Sequence, residues 1–441
     1  MSNFEIDGYR DSLWQKTAVK RPETNVLDKD GTCDVVIIGA GFTGLNAAID
    51  LANAGLSVVV LEGAELGFGA SGRAGGQVNM GMNMSPNELK VHYGEHQAER
   101  SIHMMRETPT RVFDRIRKLG LDCDPVQNGW LQAAVDKTYL HKQSDLAKQY
   151  AAYGGGMELV EKDEFASLSG SAAYVGGIFC PTAGSLHPLS YTLELARTAI
   201  QLGVKIFSNS PAIDLAKVAG SWQVTTKNGA EVTAGQVLNC TNGYTGPLIP
   251  GLFQKIVPVR SVLAATEPLS KELREQVLPN QVSFVDKRRL VLYMRYDRHG
   301  RLCSGDHGPA RDNFTLSDFD AAKQRTIDVF PALKEVKWDY HWGGRIAMTR
   351  DHLPFIANPD DGLWVGMGYN GRGVGMGSIV GMNLAKAAIA KHKGLAAPEL
   401  DLPISSPKSY PFHRFHNLGV RIGIAWAEYL DKLQAKRAQR T

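Results

Sequence analysis

The sequence predicts a mixed α/β (α+β) protein in which a nucleotide-binding unit is interrupted by a second lobe built largely of strands. Three observations carry this. A strand–helix–strand pattern surrounds a glycine cluster at 34–62, another glycine cluster precedes a long apolar helix at 371–390, and strand-like alternation fills 256–340 between them. At 441 residues the chain exceeds what one hydrophobic core normally supports, roughly 250–300 residues.

Taken in order, residues 1–29 read as an irregular leader, polar and lacking the apolar stretch of a signal peptide. Asp34-Val-Val-Ile-Ile-Gly39 is a short apolar run of the kind buried on both faces in a parallel sheet. Leu45, Ala48, Ile49 and Leu51 follow at helical spacing, with Gly55 as the stop. Ser57-Val-Val-Val-Leu-Glu62 is a second buried strand, completing one βαβ unit. Residues 86–150 carry a helical period (Ile102, Met105, Val112, Ile116, Leu119). A helix over 189–202 then leads into strands near 204–207, 222–226 and 236–240. Strands at 282–285, 290–296 and 337–342 flank a helix near 318–329, and Leu363-Trp-Val-Gly-Met367 leads into the late glycine cluster. The expected division is a discontinuous nucleotide-binding domain (30–85, 186–250, 340–395), a substrate domain (86–185, 251–339) and a C-terminal helical extension (396–441).

Composition narrows the function classes. A formal charge of +4, without basic runs interleaved with aromatics, gives no sign of a nucleic-acid partner. Five scattered cysteines without a CxxC pair argue against a disulfide framework and against zinc, and for a reducing, cytoplasmic setting. No metal is expected. The apolar stretch 35–49 is too short for a bilayer, which takes about 20 residues, so no integral membrane segment is expected.

Gly39-Ala-Gly41-Phe42-Thr43-Gly44 is GxGxxG, and its position between a buried strand and a helix gives it meaning. Gly39 allows the tight turn, Gly41 lets backbone approach a pyrophosphate, and Gly44 lets helix and strand pack closely. The phosphates then face unpaired N–H groups at a helix N-terminus. Glu62, ending the second strand, is placed to accept from a ribose diol. A second loop follows at once: Gly67-Phe-Gly69-Ala70-Ser71-Gly72-Arg73-Ala-Gly75-Gly76-Gln77. An ordinary nicotinamide fold has no use for it, whereas a long flavin dinucleotide does. The cofactor expected is therefore FAD, with Ser71 and Arg73 near its phosphates or flavin.

The run 34–77 resembles the D-amino-acid-oxidase-type FAD oxidoreductases, and within them the γ-glutamylputrescine oxidase-like branch. Similar motifs continue along the chain: Leu121-Asp-Cys-Asp124 with Gly129, Gly184-Ser-Leu-His187-Pro188, Val237-Leu-Asn-Cys-Thr-Asn-Gly243-Tyr244, Trp342-Gly with Asp351-His-Leu-Pro354, and Gly368-Tyr-Asn-Gly371-Arg372-Gly373-Val374. The resemblance implies a Rossmann-like FAD-binding domain with an inserted β-sheet substrate domain, of the DAO/glutathione-reductase-2 type. It also implies that the helix after Gly371, Arg372, Gly373 and Val374 starts at the flavin pyrimidine, where reduction collects negative charge. The alternative for that cluster is close helix packing. Ala212 and Ile213 are expected at the adenine, and Gly243 near the cofactor. Some relatives bind FAD covalently through a cysteine by the late cluster; Met367 and Met376 flank it here, so FAD is expected to be non-covalent. Two departures stand out: Arg372 replaces the branch's usual histidine, and Ala74 its asparagine.

Amine oxidation by a flavin needs a C–H held over the ring more than acid–base machinery. The candidates for substrate walls and anchors are His187, Tyr244, Tyr293, Arg295, Trp342 and Arg372, with His352 expected to be structural. Arg295 can pair with a substrate carboxylate, or lie at the surface. His187 can cap a helix instead, and Trp342 can be core. The function expected is oxidation of the C–N bond of a small amine or amino acid, γ-glutamylputrescine-like by resemblance. Imine hydrolysis would follow, with O2 as acceptor giving H2O2, in a monomer or small homo-oligomer. A dehydrogenase using a quinone or partner protein, and a subunit with structural FAD, stay open. The tail helix from Val420 is expected to pack on the body, with membrane-surface contact as the alternative.

Overall fold

The computed structural model describes residues 9–286 and 288–438. Two eight-stranded sheets dominate the described residues. The first runs Phe355–Asp360, Leu363–Met367, Glu231–Asn239, Gly31–Ile38, Val58–Leu61, Lys205–Phe207. Its five inner-to-edge strands from Leu363–Met367 to Lys205–Phe207 are parallel. Val35, Val36, Ile37 and Val60 are fully buried there, as strands covered on both faces require. The hairpin Ala212–Val218/Ser221–Thr226 extends antiparallel from Glu231–Asn239.

The fingerprint helix Phe42–Asn53 lies against the long helix Gly373–His392. Glycine allows the contact: a Cβ on Gly381 would fall 2.3 Å from the Thr43 carbonyl oxygen. Gly373–His392 is also the one described helix long and apolar enough to cross a membrane, and it is mostly buried within the protein. A longer apolar segment than 35–49 therefore exists, used as core.

The second sheet runs Trp338–Thr349, Ile256–Pro268, Arg301–His307, Leu292–Tyr296, Ser283–Asp286, Trp130–Ala133, Gly176–Cys180, Glu158–Glu161. All its pairings are antiparallel except Ser283–Asp286 with Trp130–Ala133. Trp338–Thr349 pairs along nearly all of Ile256–Pro268, so the return to the first sheet comes at Phe355 rather than at 340.

The leader also needs correcting from residue 9 onward; residues 1–8 lie outside the described residues. Leu13–Thr17 is a short helix capped by Ser12, and Trp14 on it is fully buried. Its indole Nε1 donates to the Ala74 carbonyl at 3.0 Å. A single large aromatic, invisible to periodicity over so few residues, thus ties this segment to the second glycine loop.

Candidate active site

A cavity of about 1180 Å³ runs from the fingerprint to the second sheet, larger than the roughly 300–1,000 Å³ usual for one small ligand. At one end lie Gly39, Gly41, Phe42, Thr43 and Glu62. Gly44 stands just behind them: a Cβ there would sit 2.0 Å from the Gly39 carbonyl oxygen. This is the close strand–helix packing for which the third glycine is needed. Gly41 is the N-cap of the fingerprint helix and has no side-chain cap of its own. Instead Ser71 Oγ accepts from the Phe42 amide at 3.0 Å, joining the second loop to the fingerprint.

The half-buried Glu62 carboxylate accepts from the amides of Ala40 at 2.9 Å and Ala64 at 3.1 Å. Burial raises its pKa, opposed by those amide hydrogen bonds. The second loop contributes Gly69, Ala70, Ser71, Arg73, Gly75, Gly76 and Gln77 to the cavity, and Ala212 and Ile213 line the fingerprint end. Gly371, Arg372, Gly373 and Val374 bring the start of the long helix to the wall. Gly243 is buried outside the lining, with its position for a Cβ 3.4 Å from the Ala347 amide. Asn79 lines the cavity with a buried side-chain oxygen that accepts no hydrogen bond from the protein. The glycine cradle, the half-buried carboxylate at its end and the open helix start fit a dinucleotide that extends along the cavity.

The candidate substrate residues separate into two groups. Tyr244, Tyr293, Arg372 and His352 line the cavity. Tyr293 closes over the second loop: a Cβ on Gly75 would meet its ring at 2.6 Å, and its hydroxyl lies 2.9 Å from Ser261 Oγ. Arg372 binds the Asn83 side chain and the Met80 carbonyl, with its guanidinium 5.7 Å from the Trp130 ring centroid.

His187, Arg295 and Trp342 are not in the lining, and each has a structural task. His187 Nδ1 accepts from the Ser190 amide at the start of helix Pro188–Gln201, and its Nε2 lies 3.0 Å from Thr17 Oγ1. Burial, and then the nearby Arg295 charge, push its pKa down to about 3. Arg295 donates to the carbonyls of Gly75 (2.8 Å), Tyr296 (2.9 Å) and Leu186 (2.8 Å). Its donors serve the main chain, so the carboxylate-anchor reading is withdrawn. Trp342 is fully buried, donates to the Arg73 carbonyl at 3.0 Å, and packs on Trp14. Arg73 lines the cavity, yet donates to the Phe68 carbonyl at 2.7 Å and lies over the Phe68 ring.

Further lining residues had no sequence signal. Arg260 and Arg345 both grip Asp312, at 3.0 and 3.1 Å and at 2.9 and 2.7 Å. Burial opposes ionisation of Asp312, but Arg345 and Arg260 hold its carboxyl well below the usual range. The trio keeps one net positive charge, and the Arg345 guanidinium lies 5.1 Å from the Tyr244 ring centroid. Arg288, Arg289, His307, Trp130 and Gln132 complete this end. No group of three or more potential metal ligands occurs among the described residues.

The FAD dependent oxidoreductase family (DAO) matches residues 34–387. The chain is 34% identical to the probable oxidoreductase OrdL of Haemophilus influenzae, over 90% of this chain and 92% of the relative. It is 30% identical to the gamma-glutamylputrescine oxidoreductase of Escherichia coli, over 85% and 88% respectively. Among solved structures, glycine oxidase from Geobacillus kaustophilus aligns with a TM-score of 0.71 at 18% identity, covering 86% of this chain and 100% of that one. The cradle around Gly41 and Glu62 and these likenesses lead to one conclusion: the chain belongs to the DAO family of FAD-dependent oxidoreductases, in the branch of the γ-glutamylputrescine oxidoreductase-like and OrdL-like proteins.

Proposed function

We propose that this FAD-dependent oxidoreductase oxidises the C–N bond of a small amine that also carries a carboxylate, such as a γ-glutamylated alkylamine or an amino acid. The observation that carries the reading is the charge of the cavity beyond the glycine loops. Tyr244, Tyr293 and Trp130 offer apolar walls, Arg260 and Arg345 together leave one unbalanced positive charge around Asp312, and Arg288 and Arg289 are paired with Asp286 and Asp431. Among the described lining residues the acids are Glu62, at the fingerprint end, and Asp306. Asp306 is already committed to Arg325 and His307. Such a site repels a bare polyamine and favours one whose far end is anionic. The name of the E. coli relative points to the same class of compound.

When bound, FAD would supply a hydride acceptor that O2 could reoxidise, with H2O2 as the product. The chain's own residues orient the amine, the aromatic walls exclude water, and the arginine end fixes the carboxylate so that the C–H meets the ring. The second sheet serves as the substrate lobe. FAD is held without a covalent bond: Cys240 is the one cysteine in the lining, and burial raises its thiol pKa, leaving it a poor nucleophile. Acid precipitation should release all flavin into the supernatant.

Anaerobic mixing with γ-glutamylated amines, free polyamines, N-methyl amino acids and D-amino acids tests the substrate. Flavin bleaching by the carboxylated amines but not by free polyamines is expected; the reverse order overturns the reading. Peroxide release on admitting air supports the oxidase, whereas turnover only with an added dye would instead identify a dehydrogenase.

A further inference from the structure

The C-terminal helix His416–Ala438 meets the body through its two acidic side chains. Asp431 meets Arg289 at 3.0 Å and accepts from the Leu290 amide at 3.3 Å. Glu428 lies 3.6 Å from His307 Nε2. Both acids on this helix thus face the protein, at two residues that line the cavity. The opposite side carries Leu418, Ile422, Trp426 and Tyr429, between 53% and 62% exposed, with Phe415 just before the helix at 52%. Spacings of three and four residues put them in one stripe, running roughly 21 Å at 1.5 Å per residue. The Trp426 and Tyr429 rings lie 5.6 Å apart on it. Exposed Arg414 and Arg421 flank the stripe.

A solvent-facing helix normally alternates charges of both signs; this one keeps its acids on the inner side and leaves outside an aromatic-rich apolar stripe with basic borders. That is the charge and shape of a helix lying in a lipid interface. We propose that this face docks the protein on an anionic lipid surface, with the stripe sunk among the acyl-chain ends and the basic residues among the headgroups. A second copy of the chain is the poorer occupant, because it would bring the same acid-free face to Arg414 and Arg421. The docked helix borders the cavity through Arg289 and His307, so the mouth of the site would lie close to the lipid.

Flotation of the FAD-loaded, full-length protein with vesicles tests this. Binding to phosphatidylglycerol-containing vesicles at low salt is expected, with little binding to pure phosphatidylcholine. Brominated lipids should quench Trp426 emission. Arg421→Gln should weaken partition about fivefold, the effect of one basic residue near such a surface, and Ile422→Glu should abolish it. Neither variant should change flavin content or turnover of a soluble substrate. Equal partition of wild type and Ile422→Glu overturns the proposal, as does binding indifferent to lipid charge. A dimer in solution that Ile422→Glu splits would overturn it in favour of a second copy as the occupant.

Discussion

The Arg295 guanidinium carbon lies 4.6 Å from the centroid of the Trp14 ring, with donors reaching the carbonyls of Gly75, Tyr296 and Leu186. One side chain thereby joins the N-terminal segment, the second glycine loop and the second sheet.

Arg295→Met should act on assembly rather than on substrate binding. Buried carbonyls lose their donors, costing about 2–4 kcal/mol. Thermal unfolding should show a lower midpoint and purified protein less flavin, while the flavin-loaded fraction keeps its KM. A raised KM with unchanged stability would return Arg295 to the substrate.

Gly44→Ala should give a protein that folds poorly around its cofactor. The new methyl would lie 2.0 Å from the Gly39 carbonyl oxygen and 3.0 Å from Ile37 Cγ2. Backbone cannot yield there without moving the fingerprint turn, so a cost of about 1–3 kcal/mol is expected. The visible flavin spectrum of the purified variant is the measurement.

Arg345→Met should raise KM for a carboxylated amine about tenfold, equivalent to roughly 1.4 kcal/mol, and leave kcat nearly unchanged. Asp312 retains Arg260, so the fold should survive. An amine of similar length without a carboxylate should show no such change.

His307 gives a pH prediction. Burial lowers its pKa, but the Asp306 carboxylate, aided by Glu428 and opposed by Arg325, raises it overall. A raised histidine stabilises the folded state below its unfolded value, and this stabilisation disappears as pH climbs through the folded value. The contact of His307 with the C-terminal helix should therefore loosen above the ordinary histidine range, by roughly 0.5 kcal/mol. Hydrogen exchange at 424–431 should rise with pH in wild type and become pH-insensitive, after correction for intrinsic rates, in His307→Gln.

The glycine cradle was legible because its geometry is local. Gly39, Gly41 and Gly44 lie within six positions, and strand, turn and helix follow in order, so spacing alone implied the geometry. The arginine-lined end of the cavity was not. Arg260, Asp312 and Arg345 come from three separate segments, and nothing at any one of them signals the other two. His187 and Arg295 stayed open between two roles for the opposite reason: the Ser190 amide and Thr17 hydroxyl that meet His187, and the carbonyls that meet Arg295, follow from no sequence pattern. Trp14 shows the same limit, since one aromatic in a five-residue helix has no period to read.

The chain passes from the first sheet to the second and back more than once, with strands at 31–61, 130–180, 205–239, 256–349 and 355–367. Neither half can be excised as a continuous stretch of gene. The cavity lining is likewise drawn from both sheets and the turns between them, so no single module carries it.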